Sequence, residues 1–406
     1  MGEWKETYLG EYADVLNGFA FKSEDFSSKG VPVIKIKNVA SGKIKMDDVQ
    51  FYPHELTDKL NKFLILKGSI LIAMTGSHAT QPSSMVGRVS RYDLEYNSLL
   101  NQRVGKIYSK DLKKLNETFL YYFLVQNDVT LDLAINAGGS ANQANIAPEQ
   151  IKSIPISLPA IEEQKSIASI LSSLDNKIDL LHRQNKTLEA LAETLFRQCF
   201  VEEAEGLENK TLDELIVFDP KEKVSSNIEY TFFDMKCLSN SSMAIADGIK
   251  RTVNSGSSFR NGDTLLAKIT PCLENGKTGF AMNLEEDELA RGSTEFIVMR
   301  AKEGTSPYFV YCLARYSDFR NTAILSMTGT SGRQRVQSAV LKDYEIKYSE
   351  DAMENFHNTC QPYFEKIKSN QIQIRTLTCL RDMLLPKLMS GEVRVKDAKK
   401  VARICE

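Results

Sequence analysis

The sequence predicts an α+β fold: two duplicated β-rich modules separated by two long antiparallel coiled-coil helices. Three observations carry this. The 406-residue chain repeats itself at a distance of nearly half its length. Each copy opens on strand-like sequence broken by turn residues. Each closes on an apolar stripe with heptad spacing.

The repeat is read from matched pieces. Gly139-Ser140, Ile146, Ile151-Lys152 and Ile156 have counterparts 190 positions later in Gly329-Thr330, Val336, Leu341-Lys342 and Ile346. Gly68-Ser69-Ile70-Leu71-Ile72-Ala73 resembles Gly262-Asp263-Thr264-Leu265-Leu266-Ala267. Phe119 to Leu124 resembles Tyr308 to Leu313. A period of this size means a duplicated domain, because solenoid repeats run to ~20–50 residues. The boundaries that follow are a first module at 1–158, a helical spacer at 159–203, a second module at 204–350 and a C-terminal helical spacer at 351–395.

Within each module the elements come in one order. Val33-Ile34-Lys35-Ile36-Lys37 alternates at the strand period, and Phe63 to Met74 is apolar with Gly68 as a break. Thr264 to Ile269 is the counterpart of the second part. A short helix is expected around 117–127 and again around 306–316. Polar loops rich in Gly, Ser, Asn and Gln follow at 136–145 and 326–335.

The first long helix follows Pro155 and Pro159, with Glu162-Glu163 placing negative charge at its positive dipole end. Its stripe runs Ile167, Leu171, Leu174, Ile178, Leu181, Leu188 and Leu195, with Asn185 and Ala192 in the remaining seam places. The second has Phe356, Cys360, Tyr363, Ile367, Ile374, Leu377, Leu384 and Leu388, with Asn370 and Arg381 as polar seam positions.

Composition bounds the function. Lysine and arginine number 51 against 53 acidic residues, net −2, which excludes a bulk polycation but not a local basic surface. The longest apolar runs, such as Ile70 to Met74, are strand-sized, so no membrane span is expected. Met1 to Glu6 lacks the apolar stretch of a secretory leader. Seven scattered cysteines without paired spacing argue against a disulfide framework or a structural zinc, and for a reducing cytoplasm.

Catalytic motifs are weak. Gly276-Lys277-Thr278 imitates the end of a phosphate loop, but the glycine required upstream falls on Pro271. Glu208 and Lys210 have nuclease-like spacing without an upstream acidic partner, and read as a solvated charge cluster. No metal-ligand set is predicted, and the chain is expected not to be an enzyme.

The polar loops carry a different chemistry. Base edges are read by Arg or Lys at guanine and Asn or Gln at adenine, and phosphates by Lys, Arg, Ser, Thr and backbone N–H groups. The first module offers Lys35, Lys37, Asn38, Thr75, Ser77, His78, Gln81, Arg88, Asn101, Gln102 and Arg103. Its loop adds Ser140, Asn142, Gln143 and Asn145. The second module offers Arg251, Arg260, Lys268, Lys277, Arg333, Gln334 and Arg335. These are the candidate DNA contacts.

Taken together, the residues resemble the specificity (S) subunits of type I restriction–modification enzymes. The resemblance rests on Asn17-Gly18-Phe19-Ala20-Phe21-Lys22-Ser23, Gly68 to Gly76, Val86-Gly87-Arg88-Val89 and Asn101-Gln102-Arg103-Val104. It rests further on the junction Ile154-Pro155-Ile156, Leu158-Pro159, Glu162-Glu163-Gln164, and on the closing Leu384-Leu385-Pro386-Lys387-Leu388-Met389-Ser390-Gly391-Glu392-Val393. The second half departs from the junction pattern, with Tyr348-Ser349-Glu350-Asp351 in its place.

The resemblance implies two target-recognition domains, each reading half of a split double-stranded DNA site. It implies helices that act as a ruler and dock two methyltransferase (M) subunits, with restriction (R) subunits joining for cleavage. S-adenosylmethionine, ATP and Mg²⁺ would belong to those partners, and this chain would hold no cofactor. A solitary or decoy S-like subunit that redirects a methyltransferase is the alternative.

The helix register yields a geometric expectation. The seam residues Ile178, Leu181, Asn185 and Leu188 of one helix face Ile367, Asn370, Ile374 and Leu377 of the other. Antiparallel packing about a pseudo-dyad sets Asn185 beside Asn370, each amide satisfying the other, with Leu181 opposite Ile374 and Leu188 opposite Ile367. Helices of about 35 residues would be ~52 Å long, enough to hold two modules about one DNA turn apart.

Overall fold

The computed structural model describes all residues except 1–3, 41, 78–85, 141–142, 204, 226, 254, 331 and 396–406, and only the backbone of 55–59 and 140. The chain forms two compact units, Met1–Lys177 with Leu377–Glu406, and Ile178–Thr376, so each takes part of both long helices.

In the first unit, one antiparallel sheet orders Val89–Arg91, Ile70–Ala73, Val104–Ser109 and Ala13–Asn17. A second orders Gln50–Tyr52, Val31–Ile34, Ser98–Leu100 and Leu64–Ile65, with its central pair parallel. The second unit repeats both strand for strand. Ile216–Phe218, Phe296–Ala301, Thr264–Ala267 and Thr278–Phe280 form the antiparallel sheet, here running from its other edge. Ile249–Thr252, Glu229–Phe233, Ala290–Gly292 and Ser257–Phe259 form the mixed one, again with a parallel central pair. A two-stranded ribbon closes each module just before its long helix: Lys5–Tyr8 with Pro155–Leu158, and Glu208–Thr211 with Glu345–Tyr348.

The break at Gly68 is a turn between Leu64–Ile65 and Ile70–Ala73, where Gly68 takes φ +90°. Two expectations need correction. The strand read over 33–37 ends at Ile34, and Ile36–Asn38 is a 3₁₀ turn. Pro32, Val33 and Ile34 are all buried, so both strand faces are covered and the apparent alternation was turn sequence following a core strand. Each predicted short helix, found at Glu117–Leu124 and Pro307–Arg315, is followed by a second one, Asn127–Ile135 and Ser317–Leu325. These have few buried residues, mainly Leu133 and Ala134, and Phe319 and Ala323, so their apolar periodicity is faint.

The long helices span Ile161–Arg197 and Glu350–Met389. Gln164 of the junction shows why a glutamine stands there. It is 1% exposed; its Oε1 accepts from the Asn116 N–H at 2.9 Å, and its Nε2 donates to the carbonyls of Lys114 and Pro159, each at 3.0 Å. One amide thus pins the helix start to the module before it. The second helix uses Ser349, whose Oγ accepts from the Ala352 N–H at 3.1 Å.

Within the second unit the helix segments run antiparallel. Asn185 meets Asn370, while Phe196 and Phe200 meet Phe356 with ring centroids 6.4 and 5.5 Å apart. Ile178, Leu181 and Ile367 are buried there, and Leu188 and Ile374 partly so. In the first unit, where Leu377 is also buried, the polar seam position Arg381 pairs with Asp175 at 3.0 Å, and Asp175 accepts from the Tyr122 hydroxyl at 2.6 Å. Charge at that seam is therefore compensated. Phe364, absent from the predicted stripe, is 2% exposed and packs on Tyr308 and Phe280.

Candidate nucleic-acid interface

The polar loops predicted at 136–145 and 326–335 are not loose connections. In the first module Gly138–Ser140 and Gln143–Asn145 form a hairpin that pairs with Thr75–Gly76, just beyond Ile70–Ala73. In the second, Arg335 bridges both Thr328 and Ile269, just beyond Thr264–Ala267. The same bonds build both. The Ile146 N–H donates to the Met74 carbonyl at 2.8 Å, and the Val336 N–H to the Lys268 carbonyl at 2.9 Å. The hairpins need glycine at equivalent places. Gly139 and Gly329 take φ +123° and +127°, and a Cβ on Gly139 would stand 2.2 Å from the Gln143 carbonyl.

This apron gathers part of the candidate set. In the first module Thr75, Gln143 and Asn145 lie on it, with Gln143 and Asn145 exposed and Ala144 between them buried. Ser77 follows directly, and Ser140 ends the first hairpin strand. His78, Gln81 and Asn142 lie outside the described residues. The turn Asn101-Gln102-Arg103 is tied in by the Met74 N–H, which donates to the Arg103 carbonyl at 3.0 Å. Asn101 caps this turn, its Oδ1 accepting from the Arg103 N–H at 3.4 Å, while Gln102 and Arg103 are exposed. Arg88 is half-buried, its carbonyl accepting from the Ala73 N–H.

Lys35 and Lys37 sit on the 3₁₀ turn. The Lys35 ammonium stands 4.2 Å from the Phe26 ring centroid and donates to Gln50, and burial pushes its pKa down, with Lys37 adding to the effect. Lys37 faces Asp48 at 3.7 Å.

In the second module Lys268, Arg333, Gln334 and Arg335 lie on the apron, with Arg333 exposed. The Gln334 N–H donates to Thr270 Oγ1 at 3.2 Å. Arg251 stacks its guanidinium 3.5 Å from the Phe232 ring centroid and remains exposed.

Three candidates make bonds within the fold. Asn38 is 1% exposed; its Oδ1 accepts from the Lys35 N–H at 3.0 Å and its Nδ2 donates to the carbonyls of Lys45 and Asp47. Lys277 donates to the Met235 carbonyl at 2.8 Å. Arg260 is held by Glu222 at 3.1 and 3.2 Å, in a cluster with Arg300 and Asp263. The Arg260 and Arg300 guanidiniums hold the Glu222 carboxyl below its usual pKa. Sequence shows that such residues are polar, not that a neighbouring acceptor already occupies them.

One participant was missed. Glu295 fixes Arg335 through Nε at 2.9 Å and Nη2 at 2.6 Å, and Arg335 holds the Glu295 carboxyl below its ordinary pKa. The duplication could have revealed it, since the Lys268 N–H donates to the Glu295 carbonyl as Met74 does to Arg103. The Glu208–Lys210 pair, 3.4 Å apart with Lys210 over the Tyr348 ring, is an ion pair on the closing ribbon.

Residues 1–190 match the family described as the type I restriction modification DNA specificity domain. The chain is 26% identical over 331 residues to the MjaIX specificity subunit of Methanocaldococcus jannaschii, covering 73% of each protein. The chain is similar to type I specificity subunits. A second specificity subunit of that organism, MjaVIII, is 30% identical over 187 residues, which span 46% of this chain and 43% of that relative, less than half its length. The crystal structure of a type I S subunit from M. genitalium shares the fold, with TM-score 0.60 over 95% of this chain and 96% of that one at 16% identity.

Proposed function

We propose that this chain is the non-catalytic DNA-reading subunit of a type I restriction–modification system. It binds a bipartite duplex target, one half-site per module, and docks two methyltransferase subunits and the restriction subunits in the cytoplasm. S-adenosylmethionine, ATP and Mg²⁺ act on those partners. The observation that carries the reading is the apron built twice: equivalent backbone bonds present Gln143 and Asn145 in one module and Arg333 and Arg335 in the other. Rigid backbone with amide and guanidinium groups is what direct base readout requires.

Methylome sequencing of cells that express the chain with a type I methyltransferase subunit tests this. The expected product is methylation at one split motif, two base clusters around a spacer of fixed length. Methylation independent of the chain, or at a single contiguous motif, overturns the reading.

A further inference from the structure

The two aprons carry two pairs of equivalent positions, and these differ in charge. Arg103 and Glu295 are equivalent because their carbonyls accept from Met74 and Lys268, both at 3.0 Å. Asn145 and Arg335 are equivalent because they pair with Thr75 and Ile269 at the same step beyond the core strand. The first module therefore presents Arg103 with Asn145, both exposed, and no ion pair joins Arg103 to another described residue. The second presents Glu295 with Arg335, locked together.

The lock has a direction. Glu295 takes Nε and Nη2, the side-on fork of the guanidinium. Among the described residues the end-on fork, Nη1 with the second Nη2 hydrogen, has one contact, the Arg333 carbonyl at the limiting distance of 3.5 Å. The Arg335 side chain keeps 41% of its surface exposed, and its backbone exchanges bonds with Thr328 at 2.9 and 3.1 Å. Both the position and the plane of the fork are thus set before any ligand arrives. Two parallel donors match two acceptors in one plane. Guanine offers that pair, N7 and O6, in the major groove, whereas adenine offers an acceptor beside a donor, which suits an amide such as Asn145.

We propose that Arg335 reads a guanine in the half-site of the second module, with Glu295 as its positioning residue. This rests on the DNA-reading function proposed above. Glu295 also sets a negative charge beside the fork, which disfavours a backbone phosphate there and favours the uncharged base edge.

The full chain, assembled with type I methyltransferase subunits, is used to select from a randomised duplex library. The wild type is expected to retain one invariant guanine in the half-site of the second module. Replacing that base is expected to weaken binding about 10- to 100-fold, the worth of one bidentate contact. Arg335→Ala should abolish the preference at that position alone. Glu295→Gln should relax it while raising affinity for unrelated DNA, a change that a purely structural role would not produce. The double variant Glu295→Arg with Arg335→Asn, which installs the pair of the first module, should lose the guanine and leave the other half-site unchanged. Two half-sites without such a guanine, or unchanged base preference in both single variants, overturn the assignment alone. A wild-type assembly that selects no sequence overturns the DNA-reading function and the assignment with it.

Discussion

Asn370 donates to Asn185 across the helix seam at 2.7 Å, and its second N–H reaches Gln184 Oε1 at 2.9 Å. The heptad register anticipated the meeting of the two asparagines but not its form. The amides do not satisfy each other: Asn370 gives both protons, and its buried Oδ1 has no partner among the described residues. A buried acceptor left unpaired costs ~1–3 kcal/mol, so this pair specifies register rather than adding stability. Replacing Asn185 and Asn370 together by leucine is expected to stabilise the chain by ~1–3 kcal/mol in urea unfolding. A loss of stability in the double variant would show that the amide pair is net favourable.

Glu189 lies one helical turn beyond Asn185 and is 6% exposed. Its Oε2 accepts from the Met243 N–H at 2.9 Å and from the Tyr311 hydroxyl at 3.2 Å, with Arg315 and Glu193 as charged neighbours. Burial raises its pKa from 4.5 to about 7 against those bonds. In the window between these values the folded chain keeps a proton that the unfolded chain has released. The contribution of this group is therefore present below 4.5, falls as pH rises towards about 7, and is flat above. Glu189→Gln keeps an acceptor for Met243 and removes the titration. It is expected to flatten the stability profile across that window and to be more stable at pH 8 by ~1–3 kcal/mol. Parallel profiles of variant and wild type would show that Glu189 is ionised throughout.

Exposed apron residues should behave differently from those held in the fold. Gln143→Ala and Arg333→Ala are expected to weaken binding to the cognate site by ~1–3 kcal/mol, each through its own half-site, without moving thermal stability. Asn38→Ala removes three internal bonds and should lower stability before it affects binding. Equal losses on cognate and scrambled DNA would make Gln143 or Arg333 a phosphate contact.

The duplication and the long helices were legible because heptad stripes and matched glycines are local and periodic. Gly139 and Gly329 mark hairpins whose backbone needs them wherever the rest of the chain goes. Partnership was not legible. Arg335 and Arg333 are two residues apart and identical in type, yet one is forked by Glu295, 40 residues away in sequence, and the other is exposed. Nothing near Glu189 in sequence announces the Tyr311 hydroxyl 122 positions later.

Arg291 is one more residue of this kind. Leu99 pairs with Val33 and Leu64 in the first module, and Arg291 pairs with Phe232 and Ser258 in the second. A guanidinium thus stands where the other copy has a fully buried leucine. Arg291 is 5% exposed; its Nη1 donates to Ser258 Oγ, and its Nε has no partner among the described residues. No carboxylate of a described residue pairs with it. Withdrawing an ion from water without a counter-charge costs several kcal/mol, and packing of its aliphatic stem against the sheet offsets only part of that. Arg291→Leu, the residue that the first module carries, is expected to raise stability by ~1–3 kcal/mol, read as a higher urea midpoint at unchanged slope. Ser258 is half-buried, so water replaces the lost donor. Arg291→Ala serves as the control: it removes the charge and the volume together, and the cavity should cancel most of the gain. If both variants lose stability equally, the guanidinium itself holds the sheet together, and the copy of leucine in the first module is no guide to the second.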